Sequence, residues 1–442
     1  MARVLRSSSW LMAGYAASQL VRLAANLILA RLLFPEAFGM MALVNMVIAG
    51  LALFSDIGMT AQIAQSKRGD DPEFLNTAWT VQILRGLLLF TVACLLAEPF
   101  AAFYGTPELA LYLAVAALSL LIGGFFPTRI DTANRHLALG RVTLLDLAAQ
   151  VIGVATMVLL ALATGSVLSL VIGVAVQALA RLVLMHLYLP GQRNRLRWHR
   201  ESLRELVGYG KWIFLSTAFW FLASQSDKAI LGKFLFLDTL GLYNVAFFLA
   251  SFPMLLGQHV TNSMLISVYR EKPAHAAPEN RRHLNRMRMA ITGGLLLLLG
   301  LMALIGPWLV GLLYDDRYLL AGPIVTLIAC AQLPAVIALT YDRAALAAGD
   351  SRSVFVLSAC RGVAQVVLLI AGASWFGLIG AIAALGITAV TIYPVVIWLA
   401  AKHRVWHPTH DLGSALVALA MTTAALWLHW DSVAALSRVA LP

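Results

Sequence analysis

The sequence predicts an all-α polytopic membrane protein, with two pseudo-symmetric six-helix lobes around a central cavity and a thirteenth helix at the C-terminus. Three observations predict it: an apolar composition, a series of bilayer-length apolar stretches, and an internal repeat. Of the 442 residues, 61% are apolar and 12% charged, with a mean hydropathy of +0.83. A soluble domain carries about 25% charged residues and about 45–50% apolar ones. The composition therefore excludes a soluble enzyme, a disordered chain and a coiled coil, all of which need more polar cover.

A helix crossing the bilayer needs about 20 predominantly apolar residues. That rule predicts spans at 9–31, 38–60, 77–97, 109–128, 142–164, 167–189, 209–232, 239–262, 288–313, 319–340, 354–374 and 377–400, then a weaker one at 413–429. The first follows Arg3 and Arg6, as a signal peptide does, but it is too long for a signal h-region and runs into further spans, so it is expected to be retained.

Charge in the connectors predicts the orientation. With the N-terminus in the cytoplasm, inner segments hold 22 of the 32 Lys and Arg residues and outer ones only Arg31, Lys233, Arg317 and Arg438. That is the positive-inside distribution. The formal charge of +11 is then topological, and no nucleic-acid partner is expected.

Shifting the sequence by 202 positions lays span one on span seven. Trp10 meets Trp212, Arg31 meets Lys233, Leu33-Phe34 meets Leu235-Phe236, Glu36 meets Asp238 and Gly39 meets Gly241. Further on, Leu137-Ala138-Leu139-Gly140 resembles Leu346-Ala347-Ala348-Gly349. Six spans separate the copies, so both start on the same side, as in a parallel repeat. The expected organisation is a lobe over 1–189, a basic cytoplasmic linker over 190–208, a lobe over 209–400 and an extension over 401–442.

Polar side chains within spans are costly and usually face a bundle interior or a wet cavity. Span one carries Tyr15, Gln19, Arg22 and Asn26 at helical steps, one polar stripe with Arg22 near mid-membrane. Span seven carries Ser216, Trp220, Ser224 and Lys228, with Asp227 beside them; Asp227 and Lys228 either pair locally or line the cavity. Trp79, Gln82 and Arg85 in span three, and Ser358, Arg361 and Gln365 in span eleven, are further cavity candidates, with snorkelling to the inner headgroups as the alternative for both arginines. Arg181 is expected to snorkel, Asp146, Gln150 and His259 to be satisfied structural polars, and Asp56 to cap the exit of span two as readily as bind a ligand. Pro253, Pro334 and Pro394 are expected bend points.

The substrate-cavity set is thus Gln19, Arg22, Asn26, Arg85, Asp227, Lys228, Arg361 and Gln365. Arginine keeps its proton and makes forked hydrogen bonds to phosphate or carboxylate, which favours an anionic substrate. Walker, HExxH and GxSxG motifs are absent, as are paired catalytic carboxylates, so the protein is not expected to be an enzyme or to hold a cofactor. Cys94, Cys330 and Cys360 show no CxxC spacing and are expected to pack without disulfide or metal.

The run from Leu29 to Gly39 (LARLLFPEAFG), together with Phe54–Met59 and Ser169–Gly173, resembles the first-half signature of the polysaccharide transporter branch of the multidrug/oligosaccharidyl-lipid/polysaccharide exporter superfamily. Ser226–Gly232, Leu240–Asn244 and Pro253 resemble its second-half signature. The resemblance implies a flippase in the bacterial inner membrane. It would move a polyprenyl-pyrophosphate-linked oligosaccharide to the periplasmic leaflet by alternating access, for surface or exopolysaccharide biosynthesis. Arg22, Arg85 and Arg361 would form the cationic cavity, the lipid tail would stay in the bilayer, and a polysaccharide polymerase is the expected partner. A cation-coupled multidrug exporter of the same superfamily is the alternative; it calls for mid-span carboxylates, for which Asp227 is the candidate. The GxxxDRxGR loop of major-facilitator transporters is missing after span two.

Overall fold

A computed structural model describes residues 2–55, 58–265, 268–269 and 277–438, of which 2–12, 61, 207–216, 263–264 and 351 are described in backbone only. Asp56, Arg270 and Lys272 lie outside the described residues, as do the side chains of Trp10, Trp212 and Ser216. Among the described residues the regular structure is helical throughout.

Contacts divide the chain into two compact units, Met1–Ala218 and Phe219–Pro442. The first holds α1 (Ala2–Leu32), α2 (Pro35–Phe54), α3 (Met59–Gln65), α4 (Pro72–Tyr104), α5 (Glu108–Gly124), α6 (Arg129–Arg135), α7 (Leu139–Thr164) and α8 (Leu168–Tyr188). The division falls within α9 (Arg200–Phe234). The second unit continues with α10 (Leu237–Ala250), α11 (Phe252–Val260), α12 (Pro278–Leu313), α13 (Ala321–Ala338), α14 (Asp342–Ala347), α15 (Ser351–Lys402), α16 (Pro408–Leu428) and α17 (Trp430–Ala435). Among the described residues, eight helices are long and apolar enough to cross a bilayer, or ten if each bent pair is one span.

Sequence explains where these helices start and stop. Asp71 caps α4 by accepting the amide hydrogen of Glu73 at 3.0 Å, and Pro72 supplies a preset φ at the first helical position. Gly105 ends α4 in the left-handed conformation at φ 68°. The expected span 109–128 instead breaks after Gly124 and resumes as α6, bent by 64°. Pro127, which lacks an amide donor, stands in that break. Pro253 marks a second bend, of 44° between α10 and α11, where a bend was expected. α15 reverses at Gly377 (φ 59°, ψ −138°), so its halves form the hairpin expected from spans 354–374 and 377–400. A Cβ on Gly372 would fall 2.3 Å from the carbonyl oxygen of Gly380, so only glycine allows the two halves to approach this closely.

The repeat is visible in the element order. α1 and α9 end 202 residues apart, and α2 and α10 begin 202 residues apart. By α7 and α15 the offset has grown to 212, because Leu139 and Ser351 begin those helices. The tetrapeptide match at 137–140 and 346–349 is therefore three residues out of structural register: Leu137, not Gly140, takes the place of Gly349.

Apolar surface remains widely exposed. Leu88 and Leu95 on α4, Leu159 and Leu162 on α7, and Leu297 and Leu301 on α12 all lie outside the core. Patches on this scale are what a lipid-facing surface requires. In the second unit, Trp308 near the end of α12, Trp375 and Phe376 at the α15 reversal, and Trp427 and Trp430 at the end of α16 are all exposed. Large amphipathic rings gather at membrane–water interfaces, which suits exposed tryptophans at helix ends.

Candidate functional site

The first unit contains a cavity of about 310 Å³ lined by residues of α2, α3, α4, α5, α6 and α8. Its polar lining comes from Thr60, Gln82, Arg85, Ser119, Asp131 and Arg181. Gln82 and Arg85, three residues apart on α4, both enter it, as their helical spacing predicts.

Arg85, Gln82 and Thr60 are tied to helix ends. The guanidinium of Arg85 donates to Ser55 Oγ at 2.9 Å and to the Ala52 carbonyl at 2.7 Å, occupying acceptors at the C-terminal end of α2. Gln82 Nε2 donates to the carbonyls of Gly123 (2.9 Å) and Phe126 (3.3 Å), securing the α5–α6 break. Thr60 Oγ1 donates to Asp131 Oδ1 at 2.8 Å. Gly86 lets α4 approach α5: a Cβ there would sit 2.9 Å from Gly124 Cα.

Arg181 departs from expectation. Rather than snorkelling, it forms an ion pair with Asp146, Nε to Oδ1 at 2.7 Å, and its guanidinium lies 4.9 Å from the Phe126 ring centroid. The two residues are 35 apart in sequence, on α8 and α7, so no single-helix pattern shows the pair. The cavity thus combines two guanidiniums with the carboxylate of Asp131 and the Asp146 partner, a more balanced charge than an arginine-dominated site.

The other predicted residues lie elsewhere. On α1, Gln19 is buried, Asn26 half-buried and Arg22 exposed, while neighbouring Ser18 donates to Gln150 Oε1 on α7 at 2.7 Å. Gln150 is therefore the satisfied structural polar expected of it. In the second unit, buried Asp227 accepts from the Tyr243 hydroxyl at 2.7 Å, and Lys228 donates to Gln225 Oε1 at 3.1 Å. Gln365 on α15 donates to Ser226 on α9 at 3.3 Å. Arg343 pairs with Asp342 (Nε to Oδ1 3.5 Å) at the start of α14, and Arg361 is half-buried on α15. Among the cysteines, Cys330 is buried, Cys94 half-buried and Cys360 exposed, so packing accounts for Cys330 but not for Cys360.

Sequence reasoning missed a buried network in the second unit. Arg288, counted as a connector charge, is only 2% exposed. It donates to Thr340 Oγ1 (3.0 Å), the Val405 carbonyl (2.8 Å) and the Tyr269 hydroxyl (2.9 Å), and lies 4.1 Å from the Tyr341 ring centroid. The Tyr341 hydroxyl in turn donates to Asp411, which also accepts from Tyr393 at 2.6 Å and pairs with His410 at 2.8 Å. The only signal in the sequence is polar residues crowding the starts of two apolar runs.

Known proteins resemble this chain in sequence and in fold. A family model described as a polysaccharide biosynthesis protein matches residues 28–323. The teichuronic acid biosynthesis protein TuaB of Bacillus subtilis is 20% identical over 281 residues, 62% of this chain and 56% of that protein. The succinoglycan biosynthesis transport protein ExoT of Rhizobium meliloti is 25% identical over 309 residues, 68% of this chain and 60% of its own length. The chain thus matches less than two thirds of either relative. Among solved structures, the lipid II flippase MurJ in an inward closed conformation superposes with a TM-score of 0.70 at 12% identity, covering 95% of this chain and 98% of that one. An inward-facing MATE family multidrug resistance transporter gives 0.64 at 14% identity, covering 88% and 94%. At these identities the structural likeness establishes the fold.

Proposed function

The chain belongs to the polysaccharide biosynthesis protein family, and on that premise we propose that it is an inner-membrane flippase for a polyprenyl-pyrophosphate-linked oligosaccharide. It carries the repeat unit from the cytoplasmic to the periplasmic leaflet by alternating access of two six-helix lobes, with its N-terminus in the cytoplasm and a polysaccharide polymerase downstream. The observation that carries this reading is the polar cavity of the first unit, where Arg85 and Arg181 stand beside Gln82, Thr60 and the Phe126 ring.

The chemistry follows from those groups. A pyrophosphate entering hydrocarbon loses its hydration, and guanidinium forks restore charge-assisted hydrogen bonds. Arg85 gives carbonyl acceptors and a hydroxyl its hydrogen bonds, which a phosphate oxygen replaces with a stronger acceptor. Arg181 keeps its pairing to Asp146 and offers its remaining N–H groups to phosphate, since full exchange would leave that carboxylate uncompensated. Gln82, Thr60 and Ser119 supply neutral donors and acceptors for sugar hydroxyls. Gln19, Arg22 and Asn26 on α1, and Asp227, Lys228, Arg361 and Gln365 in the second unit, are assigned to the remainder of the transport path.

One observation favours the second reading, a cation-coupled drug exporter: Asp131 lines the same cavity as a carboxylate. Deleting the gene and complementing with wild type, Arg85→Ala or Asp131→Asn separates the two. The flippase reading expects lipid-linked repeat units to accumulate in the deletion and with Arg85→Ala, and to clear with wild type. Drug sensitivity without such accumulation, reproduced by Asp131→Asn, would favour the exporter.

A further inference from the structure

After α8 the chain does not turn freely into α9 but lies along the first unit as an extended strap, residues 190–199. Its path is held by side chains of other elements. The buried guanidinium of Arg129 donates to the Leu189 carbonyl at 2.6 Å, and Asn194 exchanges two hydrogen bonds with Thr128. The alternate amides of Arg195, Arg197 and His199 donate to Asn76 Oδ1 (2.9 Å), Thr80 Oγ1 (3.1 Å) and Thr77 Oγ1 (3.2 Å), all on α4. With its backbone pinned, the strap presents its side chains outward: Arg193, Arg195, Arg197 and Arg200 are exposed, and between them Leu196 is 68% and Trp198 55% exposed.

We infer that this strap is a docking surface for the acidic phospholipid headgroups of the inner leaflet. Depth supports the assignment. α4 has 33 residues, about 50 Å of helix against about 30 Å of hydrocarbon, so its ends stand in the headgroup layers. The strap is fastened at Asn76–Thr80, about 6–12 Å beyond the start of α4 at Pro72, which is headgroup depth. Chemistry supports it too. Arginines attract acidic lipid, and an exposed Leu–Trp pair at that level enters the acyl boundary. A soluble phosphate would account for the arginines but leave Leu196 and Trp198 in water. Nearby Glu73 approaches Arg197 only at 3.7 Å, a solvated pair that leaves the cation available. The inference rests on the cytoplasmic placement of the linker and not on the identity of the transported molecule.

The test reconstitutes the full chain into phosphatidylcholine vesicles containing phosphatidylglycerol, with one or the other lipid brominated. Tryptophan quenching is read as wild type minus Trp198→Phe, which isolates Trp198. The expected result is stronger quenching by brominated phosphatidylglycerol than by brominated phosphatidylcholine. The preference should be lost in the triple variant R193Q/R195Q/R197Q, since each arginine is worth roughly fivefold toward an acidic surface. Leu196→Ser, an exposed change that spares the fold, should weaken quenching by both lipids. Equal quenching by the two lipids, or a preference that survives the triple substitution, overturns the inference. A preference abolished by inorganic pyrophosphate at constant ionic strength overturns the lipid assignment and makes the strap a soluble-phosphate site.

Discussion

Leu137 and Gly349, 212 residues apart, occupy the same left-handed position, at φ 56° and 74°, each one residue before the N-cap of a long helix. Their hydrogen bonds match as well: Leu137 N to Asn134 O and Gly349 N to Leu346 O are both 3.1 Å, followed by Ala138 N to Ala133 O at 2.8 Å and Asp350 N to Ala345 O at 2.9 Å. The backbone motif is thus repeated although the residue types are not. Leucine at this conformation costs about 1–2 kcal/mol that glycine avoids. Leu137→Gly is expected to raise stability by about 0.5–1 kcal/mol after the entropy of the added glycine is counted. Gly349→Leu should lower it by about 1–2 kcal/mol. Thermal unfolding of the purified protein in detergent measures both, and a destabilising Leu137→Gly would contradict the strain.

The Arg288 network should dominate the stability of the second unit. Removing one partner from a buried charge system costs about 3–5 kcal/mol, because the other charge is left uncompensated. Arg288→Ala and Asp411→Ala should each fall in that range, and Tyr341→Phe nearer about 1–3 kcal/mol for the lost hydroxyl donor. α16 begins at Pro408 beside Asp411, so limited proteolysis should cut first around residues 403–408 in the variants. Unfolding unchanged in Arg288→Ala would remove the network as an organising feature.

Much of this architecture was legible in the sequence because the bilayer imposes a length and a composition on each span. Gln82 and Arg85 were legible for the same kind of reason, since three-residue spacing on a helix puts both on one face. Arg181 was misread because its partner Asp146 lies on another helix. The Arg288 network was invisible for the same reason, as its members come from residues 269 to 411 and meet only after packing. The α5–α6 break was hidden within an apolar run, where hydropathy does not register a bend.

Acid stability should depend on two carboxylates in the connectors, Asp70 and Asp350. The Lys402 ammonium and Ser353 hydroxyl hold Asp350 well below the usual carboxylate range, and His136 and Arg135 hold Asp70 below it too. A carboxyl whose folded pKa is depressed stabilises the protein above its unfolded pKa of about 4 and loses that contribution as pH falls toward the folded value. Asp350→Asn should therefore be less stable than wild type at neutral pH, and the two should converge as pH drops below about 4. Unfolding midpoints across that window check it, and a constant difference at every pH would refute the linkage.

The cavity depends on close approach of α4 and α5 at Gly86. A side chain there meets backbone atoms of Gly124 and Leu120 at 2.9 and 3.0 Å, which have no rotamer with which to yield. Gly86→Leu should cost about 1–3 kcal/mol by overpacking and reduce surface polysaccharide more than the comparable lipid-facing change Leu88→Ala. Equal polysaccharide yields at equal protein levels would separate the cavity from transport.

Leaflet transfer can be read from the leaflet in which the glycan lies. Spheroplasts with and without the protein are treated with membrane-impermeant periodate, and the oxidised fraction of polyprenyl-linked oligosaccharide is measured. The glycan should become oxidisable when wild-type protein is present, and stay protected when the gene is absent or carries Arg85→Ala. Equal oxidation in all three would contradict it.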